Sequence, residues 1–207
     1  MSLAIGKKLT AEQRLHKATI DILGRPEFTA LAGVLMIGTK RVVDNHPTAC
    51  TDGKNEMYGR AFMDKLNDFE LRFLMLHECY HKMYQHTVTW RYLWDANREC
   101  ANAACDYVIN IKLADTDAGK AKWISMPEGG LLDEQYRGMD TKQVWDLLDD
   151  EDSGDGGGSG GDEQTDGESE SSGGGLDEHD WEGAQQMNAQ EQKELAQEIE
   201  GALRQGG

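Results

Sequence analysis

The stretch Asn67-Asp68-Phe69-Glu70-Leu71-Arg72-Phe73-Leu74-Met75-Leu76-His77-Glu78-Cys79-Tyr80-His81 decides how this chain is read. Asn67 is a good N-cap residue, and Glu70 stands three positions later, the spacing of a capping box. Leu66 and Leu71 are placed to pack across that start as a hydrophobic staple. From Phe69 onward, Leu71, Phe73, Leu74, Met75 and Leu76 are apolar almost all round. The pattern predicts a helix buried within a domain.

That helix ends on the pattern H-E-x-x-H. His77 and His81 are four residues apart, so they sit one turn above each other on the same face. They can present two imidazole nitrogens to one Zn²⁺, and Glu78 beside them can take a proton from a water that the metal activates. This is the arrangement of zinc-dependent peptidases. A short motif can also arise by accident on an ordinary helix. Burial weighs against accident, because two histidines and a glutamate in an apolar segment need partners, and a metal satisfies them.

Two histidines are an incomplete site, since catalytic zinc usually has three protein ligands and an open position. The segment Arg98–Asn110, read as a helix, places Glu99, Asn102, Asp106 and Asn110 on one polar stripe. Its other face (Ala101, Ala104, Cys105, Val108, Ile109) suits close packing against the first helix. Asp106 is the expected third ligand, with Asn102 and Asn110 hydrogen-bonding around it. Glu99 is the runner-up, and a solvated polar stripe would show the same spacing. His86 lies nine residues after His77, so on a continuous helix it points to the opposite side. No glycine lies between His81 and His86 to break the helix, and His86 is read as a structural or supporting residue.

Several ordered motifs surround this core. They are Thr48-Ala49-Cys50-Thr51-Asp52-Gly53, the His77–His86 run, and Asn102–Asn110 with its A-x-D-x-x-x-N pattern. Further on come Met126-Pro127-Glu128-Gly129-Gly130 and Asp177-Glu178-His179-Asp180-Trp181. Together, over roughly residues 10–182, they resemble the metallopeptidase family found N-terminal to von Willebrand factor A-like domains. The resemblance implies a zincin-like fold with His77, Glu78, His81 and Asp106 at the site. The chain departs from that pattern in ending at Gly207 with no von Willebrand-type domain after it, as a stand-alone version or a truncated one would.

The net charge of −17 is concentrated. Residues 143–192 contain 16 Asp or Glu and no Lys or Arg, which leaves the remainder near −1. The body shows no basic cluster of the kind nucleic-acid binding requires. Between Asp149 and Gly175 almost nothing is apolar, so the composition predicts a disordered linker. A DNA-mimicking or calcium-binding arm is the functional alternative, but the EF-hand spacing is missing. Beyond the linker, Asn188 and Glu191 mark another helix start. Leu195, Ile199 and Leu203 then form a narrow stripe suited to docking on the body or on a protein partner. The expected organisation is a metallopeptidase domain over 1–148, an acidic linker over 149–176 and a C-terminal segment over 177–207.

No segment is long enough to cross a membrane, and Met1–Lys8 lacks the apolar core of a signal peptide. Cys50, Cys79, Cys100 and Cys105 show no CxxC spacing or disulfide framework, so reduced, mostly buried thiols and a cytoplasmic location, bacterial or phage-encoded, are expected. A nucleophilic role for Cys79 is not expected.

The fold class expected is α+β and mainly helical, with a small sheet. Thr10 caps a first helix reaching Leu23, ended by Gly24 and Pro26. Residues 32–43 read as a strand or a short helix, and Asn55–Tyr58 as a short strand after the Asp52-Gly53 turn. By analogy with zincins, that strand would be the sheet edge on which an extended peptide lies. A last body helix begins near Asp140 or Thr141. The expected function is peptide hydrolysis with Zn²⁺ on His77, His81 and Asp106, and Glu78 as general base. Tyr136 and Arg137 are candidates for an oxyanion donor. His179 is a candidate to cover the open zinc position. Two other classes stay open: a zinc-stabilised scaffold recruiting a partner through its acidic tail and terminal helix, and a metal-dependent hydrolase of other bonds.

Overall fold

A computed structural model describes residues 8–117, 122–154 and 180–206. The chain begins with α1 (Ala11–Leu23), where Thr10 and Gln13 form a capping box. A 3₁₀ turn (Pro26–Leu31), α2 (Ala32–Leu35), and the strands β1 (Lys40–Val43), β2 (Ala49–Thr51) and β3 (Glu56–Gly59) follow. Then come α3 (Arg60–Met63), α4 (Asp68–Tyr84), α5 (His86–Thr89), α6 (Arg91–Ala96) and α7 (Arg98–Thr116). A second 3₁₀ turn (Glu134–Tyr136), α8 (Thr141–Gly154), α9 (Trp181–Ala184) and α10 (Ala189–Gly206) complete it. The fold is α+β: mainly helical, with one small sheet.

Helix α4 is the axis of this arrangement. Asn67 accepts from the amides of Phe69 and Glu70, and Glu70 returns a bond to the Asn67 amide. Every residue from Leu71 to Lys82 is buried, as the all-round apolar pattern predicts. Helices α1, α2 and α7 pack against it. Arg14 of α1 donates to the carbonyls of Met63 and Leu66 at 2.7 and 2.6 Å, which fixes the chain's entry into α4.

The sheet order is β1-β3-β2, with β1 parallel and β2 antiparallel to β3. This corrects one expectation. The strand after the Asp52-Gly53 turn is central, paired on both sides, so it cannot be the edge that receives a peptide. The edges are β1 and β2. Strand β2 is buried, packs on α4, and its Thr51 carbonyl accepts from the Asp180 amide at 3.1 Å. The β2–β3 turn holds because Asp52 Oδ1 accepts from the Lys54 and Asn55 amides. Gly53 there has φ +94°, and a Cβ would also meet Thr87 Oγ1 at 2.8 Å, so only glycine suits.

The terminal helix lies on the body. Leu195 and Ile199 are part of the main hydrophobic core, and α10 packs on α2 and the first 3₁₀ turn. A Cβ at Gly33 would stand 2.7 Å from the Ala202 Cβ, so glycine permits that approach. The stripe proposed for a partner is therefore engaged by the protein itself. Of the acidic stretch, residues 149–154 continue α8. The remainder of the stretch, together with His179, lies outside the described residues. Among the described residues no helix is long and apolar enough to cross a membrane.

Candidate metal centre

Helices α4 and α7 bring His77, His81 and Asp106 together, with all three side chains buried. The two Nε2 atoms are 3.0 Å apart, and Asp106 Oδ1 lies 3.5 Å from each. Ligand atoms held tetrahedrally at about 2.0–2.2 Å from zinc are separated by about 3.4 Å. The triangle fits that size.

Hydrogen bonds behind the histidines orient their rings. Asn110 Nδ2 donates to the Leu131 carbonyl at 2.9 Å, which turns Asn110 Oδ1 towards His77 Nδ1, also at 2.9 Å. An amide oxygen only accepts, so His77 Nδ1 carries the proton and Nε2 presents a lone pair. Asn110 thus has the supporting hydrogen-bonding place that its spacing predicts, and the ring it orients is that of His77.

His86 Nδ1 lies 2.9 Å from His81 Nδ1. The tautomer that frees His81 Nε2 for a metal has His81 Nδ1–H donating to His86. His86 reaches this place because α4 ends at Gln85 in the left-handed region, φ +52°. The continuous helix assumed from sequence does break, without a glycine. Two imidazole nitrogens and a carboxylate oxygen converging on one point are a donor set that suits a metal.

The other candidates separate. Glu99 is exposed at the start of α7, outside the metal group, and Asn102 is half-buried. Glu78 is fully buried beside His77. Tyr136 is buried, its ring 4.6 Å from that of Tyr107, and the Arg137 guanidinium is held by Asp115 and Glu134. None of the four cysteines is joined in a disulfide. Burial pushes the Cys79 thiol up to about 12, which keeps it neutral and a poor nucleophile.

One feature escaped the reading of the sequence. Lys82, the residue after His81, is fully buried and pairs with buried Glu56 of β3 at 2.5 Å. Its Nζ also donates to the Ile37 carbonyl at 3.0 Å, and Tyr58 donates to Glu56 Oε2. Burial, reinforced by Glu56, pushes the Tyr58 phenol well above its usual range. The signals were present: a lysine within a buried helix and a glutamate opening a buried strand.

A mainly helical domain with a buried His-His-Asp group is the architecture of a metal site. Residues 10–206 match the model of the family described as "Putative metallopeptidase domain", and the chain belongs to that family. No curated protein and no solved structure matches the chain.

Proposed function

We propose that the protein is a zincin-like, zinc-dependent peptidase with His77, His81 and Asp106 as ligands and Glu78 as general base. The observation that supports this most is the convergence, within 3.5 Å, of the His77 and His81 Nε2 atoms of α4, the helix that also carries Glu78, with Asp106 Oδ1 of α7. When bound, zinc supplies Lewis acidity, polarising a carbonyl and easing the deprotonation of water.

The chain's own groups do the remainder. Asn110 accepts from His77 Nδ1 and leaves its Nε2 available, and His86, by accepting from His81 Nδ1, would do the same for His81. Asp106 offsets part of the metal's charge. Glu78 accepts the proton of the attacking water and returns it to the leaving amine. The fully buried setting strengthens each of these interactions. We assign a peptide or protein substrate to the site and residues 1–148 to the catalytic body. Docking of the α10 stripe on that body favours this reading over a partner-recruiting scaffold.

A peptide library incubated with zinc-loaded protein tests the proposal. Wild type should cleave, and Glu78→Gln should keep its zinc and lose about 10²–10⁴-fold in rate. A wild-type rate in Glu78→Gln excludes the general base. Zinc retained with no cleavage by wild type favours the silent scaffold.

A further inference from the structure

A cavity of about 510 Å³ lies between the end of α4, α5, the far face of α7 and the turn that leads into α8. None of His77, Glu78, His81 and Asp106 lines it, so it is a space apart from the metal centre. Its wall is built mainly from the rings of Tyr84, Trp90 and Tyr136, together with Ile111 and Met139. Tyr84 and Trp90 are only half-buried, so aromatic surface is left uncovered where a packed core would fill the space. The volume lies in the range that encloses a small organic ligand.

The charges at the mouth decide which kind. Four line it: Lys112, Asp115, Arg137 and Asp140. Arg137 donates to both oxygens of Asp115 and to Glu134, so those charges are closed on one another. Asp140 caps α8, its Oδ1 accepting from the Gln143 amide at 2.9 Å. The Lys112 ammonium is different. It is exposed, makes no ion pair among the described residues, and stands 6.0 Å from the Tyr84 ring centroid. A ligand cation entering over that ring would be repelled by it, whereas a carboxylate would be attracted. An aromatic ring would bury its surface against the wall while its carboxylate stayed at the exposed rim, where desolvation costs little.

We propose that this cavity is a second binding site, taking a ligand that joins a flat aromatic ring to a carboxylate. Indole-3-propionate and its primary amide probe it, by calorimetry on the full-length protein. The two compounds share a shape and differ in charge. An N-acetylated tripeptide ending in tryptophan with a free carboxylate separates the two sources of this chemistry, a small free acid and the end of a peptide chain.

The acid should bind with a dissociation constant below about 1 mM, and the amide about 3- to 5-fold more weakly. Lys112→Met should bring the acid down to the level of the amide and leave the amide unchanged, while Lys112→Arg should keep the preference. Thr89→Trp, which covers the rim from an exposed position on α5, should abolish binding of both. Equal affinity of acid and amide for wild type overturns the ligand assignment. So does a preference that persists in Lys112→Met. Undiminished binding in Thr89→Trp places the compounds elsewhere and overturns the site, as does failure of wild type to bind either compound. Binding of the free acid alone makes the ligand a small acid, and equal binding of the tripeptide makes it a chain end; either result supports the site.

Discussion

Helix α4 carries two buried polar clusters side by side, and they are built on opposite plans. Around Lys82, a cation meets a carboxylate, a phenol donates to that carboxylate, and a carbonyl takes a further ammonium proton. That cluster closes with the protein's own groups. Around His77 and His81, the atoms facing the shared point are two ring nitrogens and a carboxylate oxygen. This second cluster presents three donor atoms that could hold a metal ion. Buried polar groups on one helix thus anchor it in one place and leave a candidate metal group beside that anchor.

The largest effect expected from breaking this contrast is on stability. Lys82→Met leaves the buried Glu56 carboxylate only partly compensated, by the Lys40 ammonium at 3.4 Å, at a cost of up to about 3–5 kcal/mol. For a chain of this size that lowers the melting temperature by roughly 6–20 °C. Adding Glu56→Gln should recover part of the loss, because the uncompensated charge is then gone. An unchanged melting temperature in Lys82→Met would show that the pair does not anchor α4.

The metal cluster should respond in affinity. Asn110→Ala removes the group that fixes the His77 tautomer, so zinc affinity should fall about 10–100-fold by competition with a chelator. His86→Ala should act in the same direction through His81. Equal zinc affinity in both variants and wild type would mean that the ligands are held by packing alone.

The smallest effect concerns Cys79, whose thiol faces the Lys82 side of the helix. Its ordinary value of 9 is raised to about 12 by burial. The folded state therefore favours the neutral thiol, and that contribution is complete below about pH 9 and lost as pH rises towards 12. Iodoacetamide at pH 8 should modify the half-buried Cys100 well before Cys79, as peptide mass mapping would show. Early modification of Cys79 would place it nearer solvent than the fold does.

Much of this was readable in the residues because it is local. The Asn67–Glu70 cap, the all-round apolar run and the i,i+4 histidines each lie within one helix, and each appears in the fold as expected. Asp106 followed from the periodicity of a second helix. What escaped depends on distant pairing or unusual backbone. The central place of β3 is set by its pairing with two strands that carry no distinguishing pattern. The return of His86 to His81 depends on Gln85 adopting a conformation that sequence rules reserve mainly for glycine. The Lys82–Glu56 pair joins residues 26 apart in the chain, and only the fold brings them together.

Zinc content of the purified variants tests the central claim most directly. Wild type should carry one zinc per chain, Asp106→Ala should lose most of it, and Glu99→Ala should keep it, because Glu99 is exposed and outside the converging donors. Full retention of zinc by Asp106→Ala, or its selective loss in Glu99→Ala, would contradict the proposed ligand set.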